Sequence, residues 1–300
     1  MLDIKSTSSQ TASIIIPSPT LPVNQTPAAQ NLTQIKDYIF DSKSVLGRGS
    51  MSVVYKGVDM RTNEVVGIKK ISKRALNSDY LINSLTNEID IQTKIRHANI
   101  VSLKDVIRST NNIYLVLEYC NFGNLRDYLK ARGKLTESEI RNILSQIIKG
   151  MDGLLQNNVL HRDIKPENIL VHSERGVFTY KICDFGFSKK LSEKNQLSQS
   201  SIGSPQYMDF QRLSSEEYSS KSDVFSLGII TYEMLFGCPP WAASNWHDLK
   251  CAMVSKPLQF PEAKFSKDVE DFLKKTLAIW ETDRASWEDV LAHPFIKKTL

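Results

Sequence analysis

The chain has 300 residues, 41% of them hydrophobic and 24% charged, with a formal net charge of +5, which leaves room for one large two-lobed domain or two small ones. The charge is mild and no dense Lys/Arg block accompanies it, so nucleic acid is not indicated as a partner, while acidic peptides remain compatible. Cys120, Cys183, Cys238 and Cys251 form no C-x-x-C pair, which speaks against zinc or thioredoxin-like chemistry. No apolar run approaches the ~20 residues of a membrane span, and scattered cysteines suit a reduced, cytoplasmic setting.

Residues 1–34 are rich in Ser, Thr, Gln, Asn and Pro, a composition that buries too little apolar area to offset its ordering entropy, and they read as a disordered leader. The texture changes at Ile35, and one domain is expected over 35–297. Val45-Leu46-Gly47-Arg48-Gly49-Ser50, then Val53-Val54-Tyr55 and Val65-Val66-Gly67-Ile68, read as short strands with a glycine-bearing turn between the first two. Leu85, Ile89 and Ile95 are spaced as on a helix, and Ile113 to Glu118 is a strand apolar on both faces. Beyond Glu118 the pattern turns helical. Thr136-Glu137-Ser138-Glu139 is a helix start, followed by apolar residues at 140, 143, 144, 147, 148 and 151. Ser222 to Phe236 is apolar around most of its circumference, as in a core helix. Val269 to Leu277 and Ser286 to Leu291 are the last predicted helices. Strands first and helices afterwards give an α+β fold with two lobes.

The pattern Gly47-x-Gly49-x-x-Ser52 suits both a plain turn and a cover whose backbone amides approach phosphates closely. Lys69, inside an apolar strand, is costly to bury without a partner; Glu88 on the following helix is a candidate for that partner, and a solvent-facing edge lysine is the alternative. The run His161-Arg162-Asp163-Ile164-Lys165-Pro166-Glu167-Asn168, followed by Asp184-Phe185-Gly186, is more specific: it resembles the protein-kinase signature. The resemblance covers residues 38–295 and implies an antiparallel-sheet N-lobe (35–117) with one main helix, a hinge (118–124) and a helical C-lobe (125–297).

The same resemblance assigns roles. Asp163 would accept the proton of a substrate hydroxyl, Lys165 would neutralise charge on the transferring phosphoryl group, and Asn168 and Asp184 would offer oxygen ligands to Mg²⁺. Lys69 and Glu88 would complete the catalytic set. Leu46, Val54 and Leu170 would sandwich the adenine of ATP, with Gly47 and Gly49 over the phosphates and the Glu118 and Cys120 backbone at its edge. Asp223 would brace the catalytic-loop backbone, and His161 would pack under Phe185. Lys165 and Gly203-Ser204-Pro205-Gln206-Tyr207-Met208 resemble serine/threonine kinases acting on protein substrates, with Ser204 bridging Asp163 and Lys165. The stretch from Ile113 to Leu125 is similar to the autophagy-initiating (unc-51-like) kinases and next to the calcium/calmodulin-dependent type. A phosphate on Ser198, Ser200 or Ser201, best at Ser200, would pair with Arg162 and Lys189; an upstream kinase or a second copy acting in trans would place it.

The sequence departs from the family pattern at three places. Asp209-Phe210-Gln211 stands where Ala-Pro-Glu is usual, so the anchor to Arg284 is expected to lose its carboxylate and weaken. Gly67 replaces an alanine above adenine. Gln92 puts a polar group beneath Phe185, which would loosen the helix. These departures keep open a pseudokinase-like nucleotide-binding scaffold beside the active enzyme. A small-molecule phosphotransferase of related fold fits less well, because the segment 203–207 is a peptide-docking feature of the family.

Overall fold

The computed structural model describes residues 31–190, 203–261 and 265–297. The first lobe is an antiparallel sheet built from β1 (Leu32–Ile35), β2 (Tyr38–Arg48), β3 (Ser52–Asp59), β4 (Glu64–Ser72), β5 (Leu103–Arg108) and β6 (Asn112–Glu118), in the order β1-β2-β3-β4-β6-β5. Helix α1 (Asp79–Lys94) crosses it between β4 and β5 and is N-capped by the Ser78 side chain. β1 shortens the expected leader: Leu32–Ile35 pair with 38–41 of β2, and Ile35 packs against the sheet's core. The polar texture of the leader hid this four-residue edge strand. Residues 1–30 lie outside the described residues.

Strand alternation gives the sheet two apolar faces. Phe40, Val66, Ile68, Tyr114 and Val116 form one cluster; Ile71 and Leu115, on the opposite face, pack with Leu85 of α1 and Leu103. Val54 lies opposite Lys69 across β3–β4, and Gly67 opposite Leu117 across β4–β6. Lys69 and Gly67 therefore share the α1-side face with Val54 and Leu117, which is where the cleft opens.

β6 ends at Glu118 and α2 (Leu125–Arg132) begins after Asn124, whose side chain caps it. Helix α3 (Glu137–Leu155) starts at the predicted capping box: Thr136 accepts from the Glu139 amide and Glu139 reaches back to the Thr136 amide. Its stripe of Ile140, Ile143, Leu144, Ile147, Ile148, Met151 and Leu154 is buried, a gross transfer gain of roughly 10–20 kcal/mol before entropy. After β7 (Val159–Leu160) comes the catalytic-loop segment, then the hairpin of β8 (Ile169–Glu174) and β9 (Val177–Ile182); the short β10 (Lys189–Lys190) pairs back with β7. Helices α4 (Phe210–Leu213), α5 (Lys221–Phe236), α6 (Trp246–Ser255), α7 (Lys267–Thr276), α8 (Trp287–Ala292) and α9 (Pro294–Lys297) complete the second lobe. Helix α5 is buried along nearly its whole length, as its sequence predicts. Neither α2 nor α6 is evident from sequence periodicity. No described helix is long and apolar enough to cross a membrane.

Candidate active site

The β8–β9 hairpin does the first piece of assembly. Ile169 pairs with Ile182, so the residues just outside the hairpin meet: the Cys183 amide donates to the Asn168 carbonyl at 2.9 Å. Asn168 and Asp184, 16 positions apart in sequence, are thereby brought side by side. The Asn168 amide nitrogen donates to the Asp163 carbonyl (2.8 Å) and carboxylate (3.0 Å), which leaves its side-chain carbonyl oxygen as the atom for a ligand.

Asp163 is 3% exposed. One carboxylate oxygen accepts from Lys165 Nζ at 2.7 Å and from Asn168; the other accepts from the Ser204 amide at 2.9 Å. Lys165 Nζ also donates to Ser204 Oγ at 2.7 Å, so Ser204 bridges Asp163 and Lys165 as the sequence suggested. Gly203 makes this approach possible: its φ is +117°, and a Cβ there would lie 2.7 Å from the Arg162 carbonyl. The backbone beneath is braced by Asp223, whose carboxylate accepts from the His161 and Arg162 amides, both at 2.9 Å. The His161 ring meets Phe185 edge-on at 5.3 Å and bonds the Cys183 carbonyl through Nε2 at 3.1 Å.

Across the cleft, Lys69 does not face solvent as an edge lysine. Its Nζ lies 2.6 Å from Glu88 of α1 and 3.3 Å from Asp184. Burial works against the Lys69 charge, but the two carboxylates outweigh it and raise the ammonium above the ordinary lysine range. Lys69 in turn holds the Asp184 carboxyl below its ordinary value against the opposing effect of burial. On Glu88 the balance runs the other way: burial raises its carboxyl above the ordinary value, with the Lys69 ammonium opposing that shift. Two contacts that sequence reasoning did not find keep α1 in place. Ser84 Oγ donates to the Gly186 carbonyl, and Asn87 Nδ2 donates to the Ser188 carbonyl at 2.6 Å. They lie three residues apart on one helix face; the absence of any apolar period at polar positions kept them out of sight.

The strands and their bridges place the residues expected at the nucleotide. Leu46 and Gly47 close β2, Val54 shares the Lys69 face, and Leu170 reaches the hinge through a bridge to Asn124. Gly49 donates its amide to the Ser52 carbonyl at 2.8 Å. A Cβ built on Gly47 meets nothing within 4 Å and its φ is not positive, so the fold itself does not require glycine there. The Glu118 side chain is taken by Ser102 and Lys181, and its amide donates to the Ser102 carbonyl at 2.9 Å, so neither is left for a ligand. Burial, with the Glu118 carboxylate adding, pushes the Cys120 thiol up to about 12, so it is no nucleophile at neutral pH. An alanine at 67 would meet Glu118 and Leu117 at 3.8 Å, ordinary contact.

Gln92 is 2% exposed; its amide donates to Val101 at 3.3 Å and its Oε1 has no partner. The expectation of a weakened Arg284 anchor is overturned. Arg284 Nη1 pairs with Asp209 at 2.6 Å, with both side chains fully buried, while Nη2 donates to Gln211 Oε1 at 2.8 Å. Asp209 supplies the carboxylate that Gln211 lacks, and it also N-caps α4 and accepts from Ser222. The charge has moved two residues along the chain. Ser198, Ser200 and Ser201 lie outside the described residues.

The protein kinase domain family matches residues 40–296. This chain is a member of that family. Myosin light chain kinase A of Dictyostelium discoideum is 33% identical over 86% of this chain and 88% of its own length. Human serine/threonine-protein kinase ULK3 is 36% identical over 84% of this chain, and the atg1 serine/threonine-protein kinase of Dictyostelium discoideum 34% over 88%. The chain spans only 53% and 40% of those last two proteins. Fold and relatives together make this kinase a serine/threonine protein kinase, similar to the unc-51-like group on one side and to a myosin light chain kinase on the other.

Proposed function

We propose that this cleft binds ATP with Mg²⁺ and transfers the γ-phosphoryl group to serine or threonine hydroxyls of protein substrates in the cytoplasm. The grip on Asp163 carries the reading: Lys165, Asn168 and the Ser204 amide offset the burial of its carboxylate and fix its orientation, next to the Asn168 side-chain oxygen that stays available to a ligand. The substrate oxygen forms the new P–O bond as the bond to the departing ADP oxygen breaks, and its proton passes to Asp163. The Lys165 ammonium, with one donor beyond those given to Asp163 and Ser204, neutralises charge on the transferring group. Lys69, kept cationic by Glu88 and Asp184, faces the phosphates beneath Gly47 and Gly49. The backbone of Glu118 and Cys120 receives the adenine edge, between Leu46 and Val54 above and Leu170 below. The hard oxygens of Asn168 and Asp184 fit Mg²⁺, which supplies charge neutralisation and alignment of the phosphates when bound. Two protein oxygens suit an ion that arrives with phosphate ligands of its own. Four cysteines without a disulfide fit a reducing compartment.

A phosphate on Ser198, Ser200 or Ser201, placed by another kinase or by a second copy, would find Arg162 and Lys189 lining one hollow of about 270 Å³ beside Asn83 and Asn87 of α1. The unpartnered Gln92 oxygen favours the scaffold reading, because an unsatisfied buried acceptor costs stability in α1, the helix that carries Glu88. Incubation with Mg²⁺, labelled ATP and a basic protein substrate separates the two. Phosphate transfer is expected, falling about 10²–10⁴-fold in Asp163→Asn with nucleotide binding retained. Nucleotide binding by the wild type without transfer would establish the scaffold instead.

A further inference from the structure

Arg126, in the first turn of α2, sits among acidic groups that belong to three other parts of the chain. Its Nε donates to Glu167 at 2.8 Å, and its two terminal nitrogens reach the Glu233 carboxylate at 2.5 and 3.2 Å. It also donates to the Tyr207 hydroxyl, which itself donates to Glu233 at 2.9 Å. The Arg126 side chain is 18% exposed, Glu233 9% and Glu167 44%, so the cluster opens on the surface at its Glu167 side. Its place along the chain is next to the phosphoacceptor. Glu167 follows Asp163 by four residues, at most about 14 Å of extended chain, and Tyr207 follows Ser204 by three, at most about 11 Å. Three or four residues of an extended bound peptide cover the same span.

Two carboxylates and a phenol converging beside a peptide site are a subsite for a basic side chain, since a guanidinium is the group that pairs with carboxylates in bidentate fashion. Here the chain's own guanidinium occupies it. We infer that Arg126 is a specificity-determining residue that plugs an acidic substrate subsite, so that this kinase does not select arginine close to the phosphoacceptor. The inference rests on the protein-kinase activity proposed above. Removal of the plug, with Glu167 and Glu233 left in place, converts a neutralised surface into one that attracts substrate arginine.

The test compares wild type with Arg126→Leu on matched serine peptides carrying arginine or alanine at each of the four positions on either side of the serine. In the wild type the arginine-to-alanine ratio of kcat/KM stays within about threefold everywhere; in Arg126→Leu it rises at least tenfold at one position, through KM, with the KM for ATP unchanged. Glu233→Gln on the Arg126→Leu background removes most of the gain. Equal loss on all peptides, with no arginine gain, shows Arg126 to be a structural brace and overturns the inference. A wild type that already selects arginine tenfold overturns it as well. If Arg126→Leu does not fold, Arg126→Lys, which keeps a charge but cannot span both carboxylates, is expected to show at least a threefold gain, and its absence counts the same way. A wild type inactive on every peptide defeats the kinase reading itself, whereas an active wild type with unmoved ratios defeats only the plug.

Discussion

Two ion pairs of the same length, 2.6 Å, hold the two lobes in different ways. Lys69–Glu88 spans the cleft wall, retains some exposure and shares its lysine with Asp184, which is 45% exposed. Arg284–Asp209 lies under the C-lobe with both side chains at zero exposure. The first pair joins a strand to a helix whose position is also set by Ser84 and Asn87, and its lysine reaches on to a half-exposed carboxylate. The second joins the N-cap of α4 to the loop between α7 and α8 and faces nothing but protein. Bond length therefore says little about role; what surrounds the pair decides whether breaking it costs turnover or folding.

The comparison breaks most sharply at Asp209. Asp209→Ala strands the Arg284 guanidinium in the core and is expected to cost about 3–5 kcal/mol, read as a drop in denaturation midpoint. Gln211→Glu on that background restores a carboxylate to Arg284 and recovers most of the loss, while Gln211→Glu alone shifts stability by less than about 1 kcal/mol. A single Gln211→Glu as large as the rescue would show that Asp209 is not the effective partner. Glu88→Gln should do the reverse: kcat/KM falls about 10–100-fold, equal to about 1.4–2.7 kcal/mol of transition-state stabilisation, with a far smaller change in stability than Asp209→Ala. Equal stability losses from the two would erase the distinction. Gln92→Leu removes an orphaned buried acceptor on α1, one turn from Glu88, and is expected to raise stability by about 1–2 kcal/mol, measured by denaturant titration; a decrease would mean that its bond to Val101 matters more than its unpaired oxygen. The smallest effect belongs to Gly67→Ala. The cleft accepts the methyl at ordinary contact distance, and a gain of about 0.5–1 kcal/mol is expected from reduced backbone freedom.

The catalytic loop, Lys69 with Glu88, the capped α3 and the buried α5 were legible because each is written locally, as a motif or a period. What escaped is written in three dimensions. Asp209 was read by its place in a familiar tripeptide, in which only the third residue carries the charge; nothing along the sequence says that residue 209 meets residue 284 first. Ser84 and Asn87 act on carbonyls about a hundred residues away, and Arg126 on groups up to 107 residues away. Polar side chains on an exposed-looking helix face carry no periodic signal of such partners. β1 was missed for another reason: Leu32-Thr33-Gln34-Ile35 is too short for alternation to stand out from a polar leader.

Arg162 has a left-handed backbone, with φ at +66°, a conformation that costs a non-glycine residue about 1–3 kcal/mol. The load is carried by α5 through Asp223, and by Arg212, which donates to the Arg162 carbonyl at 2.6 Å. An irregular stretch of chain is in this way fastened to the most deeply enclosed helix of the molecule. The amide hydrogens of His161 and Arg162 should accordingly exchange with solvent on the timescale of global unfolding, as slowly as those of the helix that holds them, and not as a surface loop does.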